Sequence, residues 1–312
     1  MRIRGLESFD NSHKVTKCIF CVALLMAGVG VAQADDKSAA TNAPVTRLRT
    51  WELPAVVVEG QSTNMLHEEE LVGPADQPRW TTQRRFPKVR IFTIPDDDRE
   101  LEYWTRVDVP KDGKSEIQHF FEFEMGLPYR LQVDTYLILR SGDTDGDGGK
   151  DGQTYYDGQF EMRWAFADWG KLPGNPTLYG EYVWREALAD KVEGKILFGD
   201  QLAPRWHWGV NLVVEDELSS EDEASGEHTS NEYSATAGLS YTLIDEKLSI
   251  GVEAEDAYTS FQGSRDKFED EIFVGPSIQY RPCRSTHISL LPLFGVRGDE
   301  AAKIFLNAGW EF

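Results

Sequence analysis

The final segment of the chain, Ala301 to Phe312, alternates without a break. Ile304, Leu306, Ala308, Trp310 and Phe312 fall on one face of an extended strand, and Lys303, Asn307 and Glu311 fall on the other with Phe305 and Gly309. A period of two specifies a strand, and its two unlike faces require a sheet with two different environments. The same alternation recurs upstream. Leu101, Tyr103, Thr105 and Val107 oppose Glu102, Trp104, Arg106 and Asp108, and Ile117, His119, Phe121, Phe123 and Met125 oppose Gln118, Phe120, Glu122 and Glu124. Further alternating runs occupy 131–139, 158–167, 176–186, 191–199, 206–214, 232–242, 247–257, 271–281 and 286–296. Together with the terminal strand this predicts twelve strands.

The connections support an even-numbered antiparallel barrel with one short-turned and one long-looped end. Those at 126–128, 202–204, 244–246 and 282–284 are short, whereas 141–157, 216–231 and 258–269 are long and polar. If Phe312 lies on the periplasmic side, the long loops lie outside. The connection Asp168 to Asn175 is long for its side, and its Trp169 is expected at the bilayer interface. A soluble sandwich or lipocalin-like barrel would alternate in the same way with its apolar face inward. The aromatic residues near strand ends, Trp206, Trp208, Tyr233, Tyr241, Tyr280 and Trp310, favour a barrel in a membrane.

The N-terminus supplies the compartment. Arg2, Arg4, Lys14 and Lys17 precede an apolar run from Cys18 to Val31, and Ala32-Gln33-Ala34 precedes Asp35. This reads as a secretory signal peptide over 1–34, cleaved between Ala34 and Asp35. The run is shorter than the roughly 18–20 residues of a spanning helix. Cleavage removes Cys18 and Cys21 and leaves Cys283, so no intramolecular disulfide is expected. The formal net charge of −21 becomes more negative once the basic leader is lost, which excludes nucleic acid as a partner. Domain organisation is therefore 1–34 signal peptide, 35–99 periplasmic extension or partial plug, and 100–312 transmembrane barrel. The fold class is all-β, a 12-stranded antiparallel barrel of outer-membrane type with a largely irregular N-terminal extension.

The terminal strand resembles that of bacterial outer-membrane β-barrels, a resemblance that makes Trp310 and Phe312 an assembly signal read by the barrel assembly machinery. The segment Phe121-Glu122-Phe123-Glu124-Met125-Gly126-Leu127-Pro128-Tyr129-Arg130-Leu131-Gln132-Val133 is similar to the repeated unit of a broad group of outer-membrane channel proteins, including those associated with phenol degradation. The resemblance covers about 100–312 and implies passage of small, often apolar, solutes by a barrel set in outer-membrane lipid and lipopolysaccharide. It fixes neither a substrate nor an oligomeric state.

Local motifs add candidates. Asp143, Asp145, Asp147 and Asp151, with Gly146, match the first part of an EF-hand loop and are candidate Ca²⁺ ligands, although Thr154 stands where a bidentate Glu belongs. The run Glu215, Asp216, Glu217, Glu221, Asp222, Glu223, Glu227 is a solvated loop or a negative mouth that concentrates cations. Trp51 to Gly60 resembles the short N-terminal box of TonB-dependent receptors, whose plug domain and twenty-two strands this chain has no room for. His287 and Ser289 share the His-x-Ser spacing of outer-membrane phospholipase A, with Asn307 expected opposite Ser289. The register turns this set inward, whereas that enzyme works on its lipid-facing side.

Inward residues of both signs are expected to line the lumen: Glu102, Arg106, Glu122, Glu124, Asp134, Arg140, Glu161, Arg163, Glu193, Lys195, His207 and Glu253. Mixed charges can line a narrow aqueous pore or pair and fill it. The reading is a non-enzymatic passive channel for small solutes, with a filled structural or binding barrel, and then a phospholipase-A-like hydrolase, as alternatives. Between Arg79 and Pro95 the chain carries Arg79, Arg84, Arg85, Lys88 and Arg90 and no acidic residue. Such a segment, tethered beside an acid-rich barrel, is expected to lie in or across the periplasmic opening.

Overall fold

The computed structural model describes residues 66–141, 154–186, 188–218, 230–261 and 268–312. The proposed signal peptide with Ala34 and Asp35, the Trp51–Gly60 box and the Asp143–Asp151 loop lie outside the described residues. Before the barrel comes a stretch with two single-turn 3₁₀ helices and a small ribbon, β1 (Leu71–Val72) paired with β2 (Gln77–Pro78). Twelve antiparallel strands then follow: β3 (Arg99–Pro110), β4 (Glu116–Leu127), β5 (Leu131–Ser141), β6 (Thr154–Ala165), β7 (Thr177–Trp184), β8 (Lys191–Ala203), β9 (Trp206–Glu217), β10 (Ser230–Ile244), β11 (Leu248–Phe261), β12 (Phe268–Cys283), β13 (Thr286–Arg297) and β14 (Glu300–Glu311). Each pairs with its sequence neighbour, and β14 pairs with β3 to close the barrel. Closure leaves no unpaired sheet edge, the condition a strand structure must meet in hydrocarbon.

The strands extend past the runs of alternation, so the connections shrink to 142–153, 218–229 and 262–267 on the long-loop side. On the other side the turns are tight. Tyr129 and Arg130 both adopt positive φ (65° and 62°) in the three-residue connection Pro128–Arg130, and Arg205 (71°) and Glu246 (54°) do so in theirs.

The outer wall carries Leu101, Phe121, Leu137, Phe160, Met162, Leu178, Ile196, Val252, Ile278, Leu290 and Leu306, all exposed. A continuous apolar wall of this kind is stable against lipid rather than water. Aromatic pairs flank it at both rims: Trp206–Tyr241 (4.9 Å between centroids) and Trp310–Phe312 (5.0 Å) at one, Tyr182–Trp184 (4.8 Å) and Tyr258–Phe268 (5.4 Å) at the other. The apolar core of a soluble protein is replaced by small buried clusters, such as Phe273, Leu291, Leu293 and Phe305, within a polar interior.

Cys283 is a free, exposed thiol at the rim that carries Phe312. With that rim facing the periplasm, a thiol reagent that cannot cross the outer membrane should leave it unlabelled on intact cells and label it after permeabilisation. Labelling of intact cells would reverse the orientation.

Candidate functional site

The pairing register brings inward carboxylates side by side. Glu311, Glu100, Glu124, Asp134, Glu161, Glu181, Glu193, Glu215 and Glu232 are successive partners on adjacent strands from β14 through β3 to β10. Barrel strands tilt and stagger, so a row that follows the pairing climbs the wall. This one starts beside the rim of Phe312 and ends beside the 218–229 connection at the opposite rim. Like charges directly across a strand pair repel. Cations on neighbouring rows offset the repulsion: Arg281 lies 2.6 Å from Glu311, Arg163 3.0 Å from Asp134, Lys195 2.5 Å from Glu193 and Lys191 2.5 Å from Glu215, and His287 Nδ1 lies 3.1 Å from Glu100. The Tyr179 hydroxyl sits 2.8 Å from Glu161 and also bonds Glu181.

Glu122 and Glu124 take their cations from the segment that precedes the barrel. Arg84 Nη2 is 2.6 Å from Glu102, 3.1 Å from Glu122 and 3.8 Å from Glu124, and Arg90 is 3.0 Å from Glu122 and 3.8 Å from Glu124. Lys88 pairs with Glu255 at 2.7 Å. The irregular backbone of this segment has no strand partner, and inward side chains satisfy it instead. The Lys88 and Val89 N–H groups donate to Glu253 Oε2 (3.1 Å each). Asn211 accepts from the Arg90 N–H (2.9 Å) and donates to the Arg90 carbonyl (2.6 Å), and Gln132 accepts from the Ile94 N–H (2.8 Å). Gln279 donates to the Arg84 carbonyl.

Glycines on the opposite wall receive the segment's apolar side chains. Gly199, Gly209 and Gly238 form one register row across β8, β9 and β10. A Cβ at Gly199 would lie 2.2 Å from Ile91, at Gly209 2.8 Å from Val89, and at Gly238 2.7 Å from Phe86. The missing side chains cut a groove that Phe86, Val89 and Ile91 fill. The segment is also fixed at the rim of Phe312. His67 and Glu68 N–H groups donate to Asp245 (2.8 and 3.2 Å), and Glu69 accepts from Gln201 (2.7 Å) and from the Arg205 N–H (3.1 Å).

Trp169 corrects the sequence expectation. Instead of facing the bilayer interface, it packs edge-on against Trp80 (5.6 Å) and Phe92 (5.2 Å), and its backbone N–H donates to Ala75 (2.9 Å). The 166–176 connection is long because it covers the inserted segment.

The segment lines two cavities. One, of about 500 Å³, is floored by Arg84, Lys88 and Arg90 and walled by Glu161, Glu181, Glu193 and Glu215. The other, of about 490 Å³, lies toward the rim of Phe312 and includes Arg79, Ile94, Asp98, Glu246 and Arg284. Burial pushes the Asp98 carboxyl above its ordinary range; Glu311 and Asp97 add to the shift and Arg79 opposes it.

The lumen candidates all sit on the inner wall, most of them in ion pairs. Arg106 pairs with Asp108 (2.8 Å) and Arg140 with Asp157 (3.0 Å), and His207 is buried against Trp80 (4.3 Å). Ser289 and Asn307 are register partners, as expected, and face inward. His287, however, lies between Glu100 (3.1 Å) and Glu102 (3.0 Å), and the Ser289 hydroxyl has no hydrogen-bond partner among the described residues. That is not the base–nucleophile contact a hydrolase needs. Glu100, Asn211, Gln132 and the glycine row were not singled out from the sequence. Their signal is there: all occupy inward positions of alternating strands.

Because Ile91 fills the space at Gly199, Gly199→Ala should lower the unfolding midpoint, with a penalty of about 1–3 kcal/mol. Ile91→Ala should relieve most of that penalty in the double variant. Additive effects in a thermal unfolding cycle would show that the two positions are independent.

No protein-family model matches the chain, and no curated protein matches it. Among solved structures, an outer membrane channel from Pseudomonas putida F1 is similar with a TM-score of 0.54 at 9% identity, over 71% of this chain and 97% of that one. The KdgM porin (TM-score 0.46, 8% identity, 68% and 99% coverage) and the NanC porin (0.45, 11%, 69% and 98%) also match, at lower scores. The first likeness establishes the barrel fold, the twelve-stranded outer-membrane type.

Proposed function

We propose that this chain is an outer-membrane channel for small solutes whose lumen is closed by its own segment 66–98. The observation that carries the reading is the pair of cavities, about 500 and about 490 Å³, which this segment lines from both sides, with Arg84, Lys88 and Arg90 at one and Arg79, Gln83 and Ile94 at the other. A barrel evolved solely as a filled support has no need of a vestibule at each end. The segment is not a membrane-spanning element, so moving it would join the cavities and leave every strand pair intact. The outward apolar wall and the sequence of residues 1–34 support placement in the outer membrane. The similarity to a solved outer membrane channel agrees with this reading through its fold.

A filled barrel that serves a structural or binding role is the second reading, favoured by the dense ion pairing of the segment. Bilayer recordings separate the two. The full chain should show rare or small current steps, and the chain lacking 66–95 should show larger, steady ones while migrating as a folded barrel. If the folded deletion variant conducts no better than the full chain, the segment does not close a pore. If neither passes current at any voltage, the filled-barrel reading stands.

A further inference from the structure

We infer that the cage formed by Glu102, Glu122 and Glu124 is a binding site for a small organic cation bearing a guanidinium or primary ammonium group, and that Arg84 and Arg90 occupy it as internal stand-ins for that ligand. The inference rests on the channel reading and assigns its substrate class. The three carboxylates each bring an oxygen within 4.8 Å of the others, and all three side chains are buried. Buried carboxylates this close need a cation among them or a proton shared between them. What sits among them is a guanidinium, the Arg84 Nη2 that touches all three.

The wall aims the cage without help from the segment. The Trp104 indole N–H donates to Glu122 Oε2 at 2.8 Å, and the Tyr136 hydroxyl bonds Glu122 Oε1 at 2.5 Å. Glu122 therefore stays pointed inward when the segment leaves. Trp104 stacks flat on Phe120 (3.6 Å between centroids, 0° between planes), and the Arg84 guanidinium lies over the indole, 5.7 Å from its centroid. A broad aromatic face beside carboxylates suits a planar or alkyl-bearing cation better than a bare metal ion. Asn307, the strand partner of Trp104, is buried with both amide atoms lacking a hydrogen-bond partner among the described residues. A buried amide with both groups unsatisfied calls for a ligand or water. Arg84 and Arg90 reach from the cage to the cavity of about 500 Å³, which is in the size range of small-molecule sites and whose wall carries Glu161, Glu181, Glu193 and Glu215 of the row that runs through Glu124. Without Arg84, Lys88 and Arg90, six basic side chains face eight carboxylates in the lining of that cavity.

An external cation must compete with tethered arginines at high effective concentration, so millimolar ligand is required. The test uses the full chain and agmatine. Agmatine should raise proteinase K cleavage within 79–95 several-fold and increase channel opening, whereas KCl at equal ionic strength and sodium glutamate should do neither. Glu122→Gln should abolish the response. If that variant does not assemble, Trp104→Phe, which keeps the ring and removes the N–H that orients Glu122, should weaken it. A current that ignores agmatine, with unchanged cleavage, overturns the cage and leaves the channel reading intact. Cleavage that responds to agmatine with no current at any voltage keeps the cage and overturns the channel. A larger response to CaCl₂ than to agmatine would also overturn the inference, because the cage would then select divalent ions.

Discussion

The rest of this structure depends on a repulsion. Antiparallel pairing in a closed barrel places carboxylates on nine neighbouring strands directly beside one another, from Glu311 to Glu232. Two unit charges about 4 Å apart interact by roughly 4 kcal/mol at an effective dielectric near 20. Nothing in the backbone relieves that. Arg281, Arg163, Lys195 and Lys191 relieve it along much of the row. At Glu122 and Glu124 relief comes from Arg84 and Arg90, which lie outside the strands. The inserted segment thus completes the barrel electrostatically as well as occupying it.

The strands were legible because lipid outside and polar side chains inside impose a strict period of two. That constraint acts locally, and residues such as Leu101 against Glu102 or Phe121 against Glu122 display it within a few positions. The carboxylate row was not legible, although every member was visible. Which carboxylate faces which depends on the stagger between strands, a property of closure rather than of any one segment. The glycine groove was hidden for a related reason. Gly199, Gly209 and Gly238 are far apart in sequence, and only the register aligns them. Trp169 was misassigned because an aromatic residue in a connection at a barrel rim ordinarily meets the interface. Here Trp80 and Phe92 of the segment offered a drier surface.

The cationic run from Arg79 to Arg90 announced an attraction to an acidic barrel, but not the form it takes. Charge alone would leave the run at a mouth. Depth comes from the apolar residues between the charges. Phe86, Val89 and Ile91 have a groove to fill, and the Lys88, Val89 and Arg90 N–H groups have Glu253 and Asn211 to meet. A chain with the same charges and polar residues at 86, 89 and 91 would satisfy the carboxylates and lose the groove.

These two attachments differ in kind and lie on opposite walls. On β8, β9 and β10 the hold is uncharged, the glycine groove with the hydrogen bonds of Asn211 to Arg90. On β3 and β4 it is ionic, and an ion pair can change partners without either charge becoming bare. Removing one member of a buried pair outright costs about 3–5 kcal/mol, so stripping Arg84 and Arg90 from their carboxylates without replacement is the expensive route. Exchange avoids that penalty, because the arriving cation neutralises the cage as the arginine departs. On the proposed reading it is the Arg84 and Arg90 side chains that leave the β3–β4 wall, while Phe86, Val89 and Ile91 remain in their groove and the rim contacts of Asp245 and Glu69 hold. An opening of this kind needs no unfolding of the barrel and no complete expulsion of the segment. It confines the path to the side of the lumen where the carboxylates are.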